Sequence, residues 1–201
     1  MSDDQAFRYV LLAILLLALP IGMYHRIRSQ ATGEPLDRRK EGLFILASLR
    51  PVALVFFVGF VTYLISPASM AWASVRLPLG LRWTGVGSCA LGVVLQMWTF
   101  RRLGKNLTDT VVTRRDHTLV TLGPYQWVRH PFYVAGALLL LGLSLAAANW
   151  FLLVSGAAAI ALIVIRTRTE EEQLVVRFGD SYREYMKRTG RFLPRLGTRR
   201  P

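Results

Sequence analysis

Five stretches of this chain run for fifteen residues or more with no more than one charged side chain each, at 7–24, 43–66, 79–100, 132–148 and 151–165. No other feature restricts the fold so strongly. A helix needs roughly 20 apolar residues to cross the hydrocarbon core, because every backbone N–H and C=O must find its partner inside the segment where water is absent. The expected fold class is therefore all-α and integral to a membrane, with about five transmembrane helices. That count rests on length and apolar character alone. The last two runs are short and meet at Asn149 and Trp150. They read as a tight helical hairpin through a thin or locally distorted bilayer, with Trp150 at the interface. Asp3 and Asp4 flank the first run where a cleavable leader would carry basic residues, and no small-residue cleavage pattern follows, so it reads as an anchor that stays.

The formal net charge of +13 raises the question of nucleic acid. A nucleic-acid-binding domain gathers its basic residues on one face, whereas here they lie between the apolar runs. Arg26, Arg28, Arg38, Arg39 and Lys40 fill the first loop; Arg101, Arg102, Lys105, Arg114, Arg115 and Arg129 fill the third; ten arginines and lysines from Arg166 to Arg200 follow the last run. The second loop holds Arg76, with Arg82 close to the next run. Five helices and the positive-inside rule then give one topology, with the N-terminus outside and the C-terminus, first loop and third loop cytoplasmic. The basic flanks also suit anionic lipid headgroups. Arg50, beside Pro51 within the second run, reads as structural: it snorkels, marks a kink or faces a polar cavity. Cys89 is the single cysteine, and His25, His117 and His130 lack ligand spacing, so neither a disulfide framework nor a metal centre is expected.

Residues 1–100 read as three membrane helices, and residues 101–201 as a cytoplasmic loop, the hairpin and C-terminal helices. The segment 101–131 is rich in threonine, glycine and asparagine, and 118–122 alternates as a short strand does before Gly123 and Pro124 punctuate it. A structured loop is expected there. The fifth span continues without a breaker into charged sequence and is expected to stop near Gly179. A second amphipathic helix follows over 180–188, carrying Tyr182 and Tyr185 as interfacial or packing residues, and Pro194 ends the ordered part. The topology brings three polar groups to one membrane surface: 104–110, 123–133 and 166–172. A short hairpin makes residues 132 and 166 neighbours at its base, which links Arg129, His130 and Tyr133 to Arg166, Glu170 and Glu171.

Gly123-Pro124-Tyr125, then Val128-Arg129-His130-Pro131 and Tyr133, followed after the hairpin by Glu170-Glu171, Leu174, Phe178-Gly179, Tyr182, Tyr185, Arg191 and Pro194, resemble the two ordered signatures of the isoprenylcysteine carboxyl methyltransferase family, phospholipid methyltransferase relatives included. The resemblance covers about residues 95–195. One departure is Ala135, where the family usually has glycine. The resemblance implies S-adenosylmethionine as cofactor and makes 101–201 the catalytic methyltransferase region. It places Gly123, Tyr125, His130, Pro131, Tyr133 and Glu170 at the cofactor. A zwitterion with a sulfonium centre calls for carboxylates and aromatic faces, and no GxGxxG after a strand offers a soluble alternative. Arg166 matches the family's arginine ahead of the paired glutamates and is the candidate for holding an acceptor carboxylate, with Glu171 orienting Arg166 or the acceptor and Asn106 as a further polar candidate.

The implied reaction is methyl transfer to a lipophilic or membrane-presented acceptor: a prenylcysteine carboxylate, a lipid amine or a small thiol. Two other readings stand beside it. A membrane reductase using NADPH shares an HPxY-type segment before a hairpin, and a non-catalytic subunit could keep the fold. The joint presence of Arg166, Glu170 and Glu171 favours the methyl donor. Taken alone, those charges also read as a solvated helix end with i,i+4 pairs.

Overall fold

The computed structural model describes residues 3–30, 43–103 and 118–195, without the side chains of 25, 26, 28–30 and 43–46. Among the described residues six α-helices follow one another: α1 Asp3–Gln30, α2 Leu43–Ile65, α3 Leu79–Leu103, α4 Pro131–Ala147, α5 Trp150–Phe178 and α6 Asp180–Arg188. Short 3-10 turns cover Pro67–Ala73 and Gly123–Gln126. The expected strand at 118–122 is absent, since that segment has no regular structure. Alternation alone does not make a strand when no neighbour pairs with it, and the described residues offer only isolated bridges, Ser74 with Asn149 and Val128 with Gly190.

Three helices are long and apolar enough to cross a bilayer, within Asp3–Tyr24, Ala47–Ile65 and Trp150–Phe178, and Pro131–Ala147 is a shorter apolar helix. The chain is thus an all-helical membrane protein, and the five-span expectation meets the length and composition test at three helices. α4 is 17 residues long, below the usual span. α3 is long enough but carries polar groups that lower its hydropathy. Several of these turn toward α4, where Ser88 Oγ donates to the Leu138 carbonyl at 2.9 Å and Arg82 Nε to the Ala146 carbonyl at 3.0 Å.

α3 and α4 approach backbone to backbone. A Cβ on Gly85 would sit 2.7 Å from the Gly142 carbonyl oxygen, and one on Gly142 would sit 2.6 Å from that of Gly85. Such contacts drive helix association where no hydrophobic effect separates protein from lipid. Ala135 is fully buried in the same seam, its carbonyl 3.0 Å from where a Cβ on Gly92 would stand. The departure from the family's glycine therefore concerns helix packing, and Gly92 makes room for it. Phe7, Leu11, Phe56, Phe60, Ala146 and Leu152 form a common core that joins α1, α2, α4 and α5.

The hairpin is as tight as expected. Ala148 adopts a left-handed conformation with φ +50°, and Asn149 caps α5 by accepting from the Leu152 N–H at 3.1 Å. α5 then runs unbroken to Phe178 and stops at Gly179, whose φ of +56° suits glycine. α6 spans 180–188 as the sequence implied.

Candidate active site

Pro131 opens α4, where its missing N–H costs nothing and its fixed φ suits the first helical position. This sets His130 at the helix entrance, buried at 4% exposure, with Tyr133 one turn further on. The C-terminal segment holds the entrance in place: the N–H groups of Arg129 and His130 donate to the carbonyls of Gly190 and Arg191 at 2.9 and 3.1 Å. From the other side comes α5. Arg166 and Glu170 are four residues apart on it and so share a face.

The two segments meet through side chains. The Tyr133 hydroxyl donates to Glu170 Oε2 at 2.6 Å. His130 Nε2 lies 3.2 Å from Glu171 Oε1, and its Nδ1 lies 3.9 Å from Glu170 Oε1. The rings of His130 and Tyr133 stack with centroids 5.4 Å apart and planes 14° apart. The positive charge of Arg166 acts on the Tyr133 phenol. The Tyr125 phenol is also buried, and burial first, then the charge of Glu170, push it well above the ordinary phenolic range. Thus Tyr125, His130, Pro131, Tyr133, Arg166, Glu170 and Glu171 converge, while Asn106 lies outside the described residues.

Glu171 holds a position that its sequence neighbours do not betray. It is 4% exposed, and its two oxygens are taken by three partners: Arg129 Nε at 2.7 Å and His130 on Oε1, and Arg191 on Oε2. Arg129 also donates to the carbonyls of Met186 and Thr189. This network ties α5, the entrance of α4 and the segment after α6 into one body. The sequence has Glu171 orienting Arg166 or the acceptor; the hairpin already links Arg129 to the paired glutamates, whereas Arg191 is given no part. The only available signal for Arg191 was its place in the second signature.

Gly123 has φ +67°, and a Cβ there would stand 2.7 Å from Arg102 Cγ, so this glycine is required by both its backbone and its neighbour. Tyr182 and Tyr185 are packing residues: both are buried, their rings 5.8 Å apart, and the Tyr185 hydroxyl donates to the Tyr125 carbonyl at 2.6 Å. A separate cavity lined by Pro20, Ile21, Tyr24, Met97 and Arg101 lies between α1 and α3, and none of its residues belongs to this site.

The donor set suits an adenosyl sulfonium compound. Glu170 keeps part of its carboxylate accessible, at 24% side-chain exposure, beside stacked aromatic rings. A carboxylate next to aromatic faces is what a cationic sulfur and an ammonium group need.

Residues 81–181 match the phospholipid methyltransferase family, and the chain belongs to it. Among its relatives, the protein-S-isoprenylcysteine O-methyltransferase of Schizosaccharomyces pombe is 33% identical over 114 residues, covering 55% of this chain and 48% of that protein. The cobalt-zinc-cadmium resistance protein CzcN of Cupriavidus metallidurans is 41% identical over 86 residues, covering 41% of this chain and 38% of that one. Among solved structures, the eukaryotic intramembrane Ras methyltransferase ICMT (isoprenylcysteine carboxyl methyltransferase) superposes with a TM-score of 0.55 at 28% identity, over 72% of this chain and 51% of that one. The chain spans about half the length of the curated relatives it matches, or less.

Proposed function

We propose that this protein transfers a methyl group from S-adenosylmethionine to a lipophilic, membrane-presented acceptor, a prenylcysteine carboxylate being the acceptor its relatives favour. The observation that carries the reading is the 2.6 Å bond from Tyr133 to Glu170, which joins the entrance of α4 to the far end of α5 beside an accessible carboxylate. On this reading residues 101–201 form the catalytic region and the first three helices its membrane scaffold. On the same reading α1–α5 all cross, the short α4 included, with the N-terminus outside and the site on the cytoplasmic side, in keeping with the positive-inside rule.

S-adenosylmethionine, when bound, supplies an electrophilic methyl on a sulfonium. Glu170 would hold its ammonium or ribose hydroxyls, and Tyr125, Tyr133 and His130 would frame it. Arg166 would grip the acceptor's carboxylate, since a guanidinium fork matches its two oxygens. A carboxylate acceptor arrives ionised, so no general base is required; the protein contributes alignment and the exclusion of water. Glu171 keeps the two segments in register.

Calorimetry on the purified chain in detergent, titrating S-adenosylhomocysteine and NADPH separately, tests the proposal. Saturable binding of S-adenosylhomocysteine alone is expected, weakened at least about tenfold in Glu170→Ala, the loss of one charged hydrogen bond. Tight NADPH binding alone would replace this reading with the reductase; binding of neither would leave a non-catalytic subunit.

A further inference from the structure

All five tryptophans of the chain fall at two levels of the bundle. Trp72 and Trp150 meet edge to face at 5.4 Å by the hairpin turn, and Trp83 lies one residue from Arg82, which binds the last turn of α4. Trp98 and Trp127 meet at 5.3 Å at the other end, beside the entrance of α4. Amphipathic aromatic rings and long cationic side chains settle at the headgroup level of a bilayer. The distance between such anchors therefore measures the apolar slab that a protein accepts.

Four helices give the same measure. On α3, fifteen residues separate Trp83 from Trp98, 53% and 37% exposed. On α1, fifteen separate Tyr9 from Tyr24, 57% and 58% exposed. On α5 sixteen separate Trp150 from Arg166, and on α2, which has an anchor at one end only, fifteen separate the exposed Arg50 from the helix end at Ile65. At about 1.5 Å per residue these lengths are about 22–24 Å. No charged residue lies within any of these four intervals. α4, with its 17 residues, comes to about 25 Å. An ordinary hydrocarbon core is about 30 Å thick, and tilting only shortens what a helix spans vertically.

We infer that the chain is built for an apolar slab about 22–24 Å thick, several ångströms thinner than an ordinary bilayer, and that it draws surrounding lipid down to that thickness. Arg50 is one of the anchors, marking where α2 leaves the apolar layer, and needs no partner inside it. The level that Trp98 and Trp127 define also holds His130 at the entrance of α4. The candidate site therefore sits within the headgroup layer, where an amphiphile's polar end already lies. The inference rests on the membrane reading alone and stands or falls apart from methyl transfer.

The test is thermal unfolding of the full chain in vesicles of a single phosphatidylcholine with myristoleoyl, oleoyl or erucoyl chains. The midpoint is expected to be highest with the shortest chains and to fall by roughly 5 °C or more toward the longest. A midpoint that is flat, or that climbs with chain length, overturns the inference. Arg50→Leu extends the uncharged part of α2 to the whole of Leu43–Ile65 and is expected to move the optimum toward longer chains. An optimum that stays in place removes Arg50 from the set of anchors.

Discussion

Replacing Glu171 with alanine is expected to destabilise the protein by about 3–5 kcal/mol, the usual cost of removing one partner from a buried ion pair. Arg129 would be left buried, at 6% side-chain exposure, without the carboxylate it faces, and Arg191 and His130 would lose their shared acceptor. At about 2–4 °C per kcal/mol for a chain of this size, the thermal midpoint in detergent should drop by roughly 10 °C. Glu171→Gln should recover only a small part, because the amide keeps the shape but not the charge. A midpoint within a degree or two of the wild type for both variants would show that the network carries little stability.

The same residue governs the response to acid. Burial alone would raise its carboxyl group, yet the hydrogen bonds from His130, Arg191 and Arg129 outweigh burial and bring the pKa down to about 2. A free glutamate titrates near 4.3. A carboxyl group with a depressed folded pKa stabilises fully above its ordinary value and loses that stabilisation as pH falls toward the folded one. The wild type should therefore weaken progressively from about pH 4 to about pH 2, and this part of the profile should flatten in Glu171→Gln.

Arg166→Ala is expected to lower turnover by a factor of about 100–1000, as the loss of one preorganised charge-stabilising donor does, while S-adenosylhomocysteine affinity changes little. Arg166 shares a face with Glu170, and its charge reaches Tyr133, so it is at the site; the task proposed for it is to hold the acceptor. With a prenylated cysteine as acceptor, a variant that binds cofactor normally but turns over slowly fits this role. Unchanged turnover would remove it. Equal losses of cofactor affinity and turnover would move Arg166 to the cofactor.

The parts of the fold that depend on near neighbours in sequence were legible there. Gly179 as a helix stop follows from local backbone chemistry, and the tight hairpin at Asn149 and Trp150, the long α5 and α6 were read from the same kind of local signal. The strand at 118–122 was misread because pairing depends on a distant neighbour that the pattern cannot show. Much of the site was visible through the two signatures, which brought Tyr133 and Glu170 to one surface. What stayed hidden was long-range satisfaction of charge. Arg191 looks like any other basic residue of a positively charged tail, and only folding reveals that it shares Glu171 with Arg129, which the hairpin had already placed nearby. The glycine seam between α3 and α4 was hidden for the same reason, since Gly85 and Gly142 acquire meaning only as a pair.

Photolabelling tests the central claim most directly, which is that the entrance of α4 and the far end of α5 build one pocket for an adenosyl nucleoside. The chain would be irradiated with labelled S-adenosylmethionine, digested and mapped by mass spectrometry, with and without excess S-adenosylhomocysteine. Label on peptides from both 123–133 and 166–172, removed by the competitor, is the predicted result. Competed label that falls only on other parts of the chain, or label that the competitor leaves untouched, would contradict it.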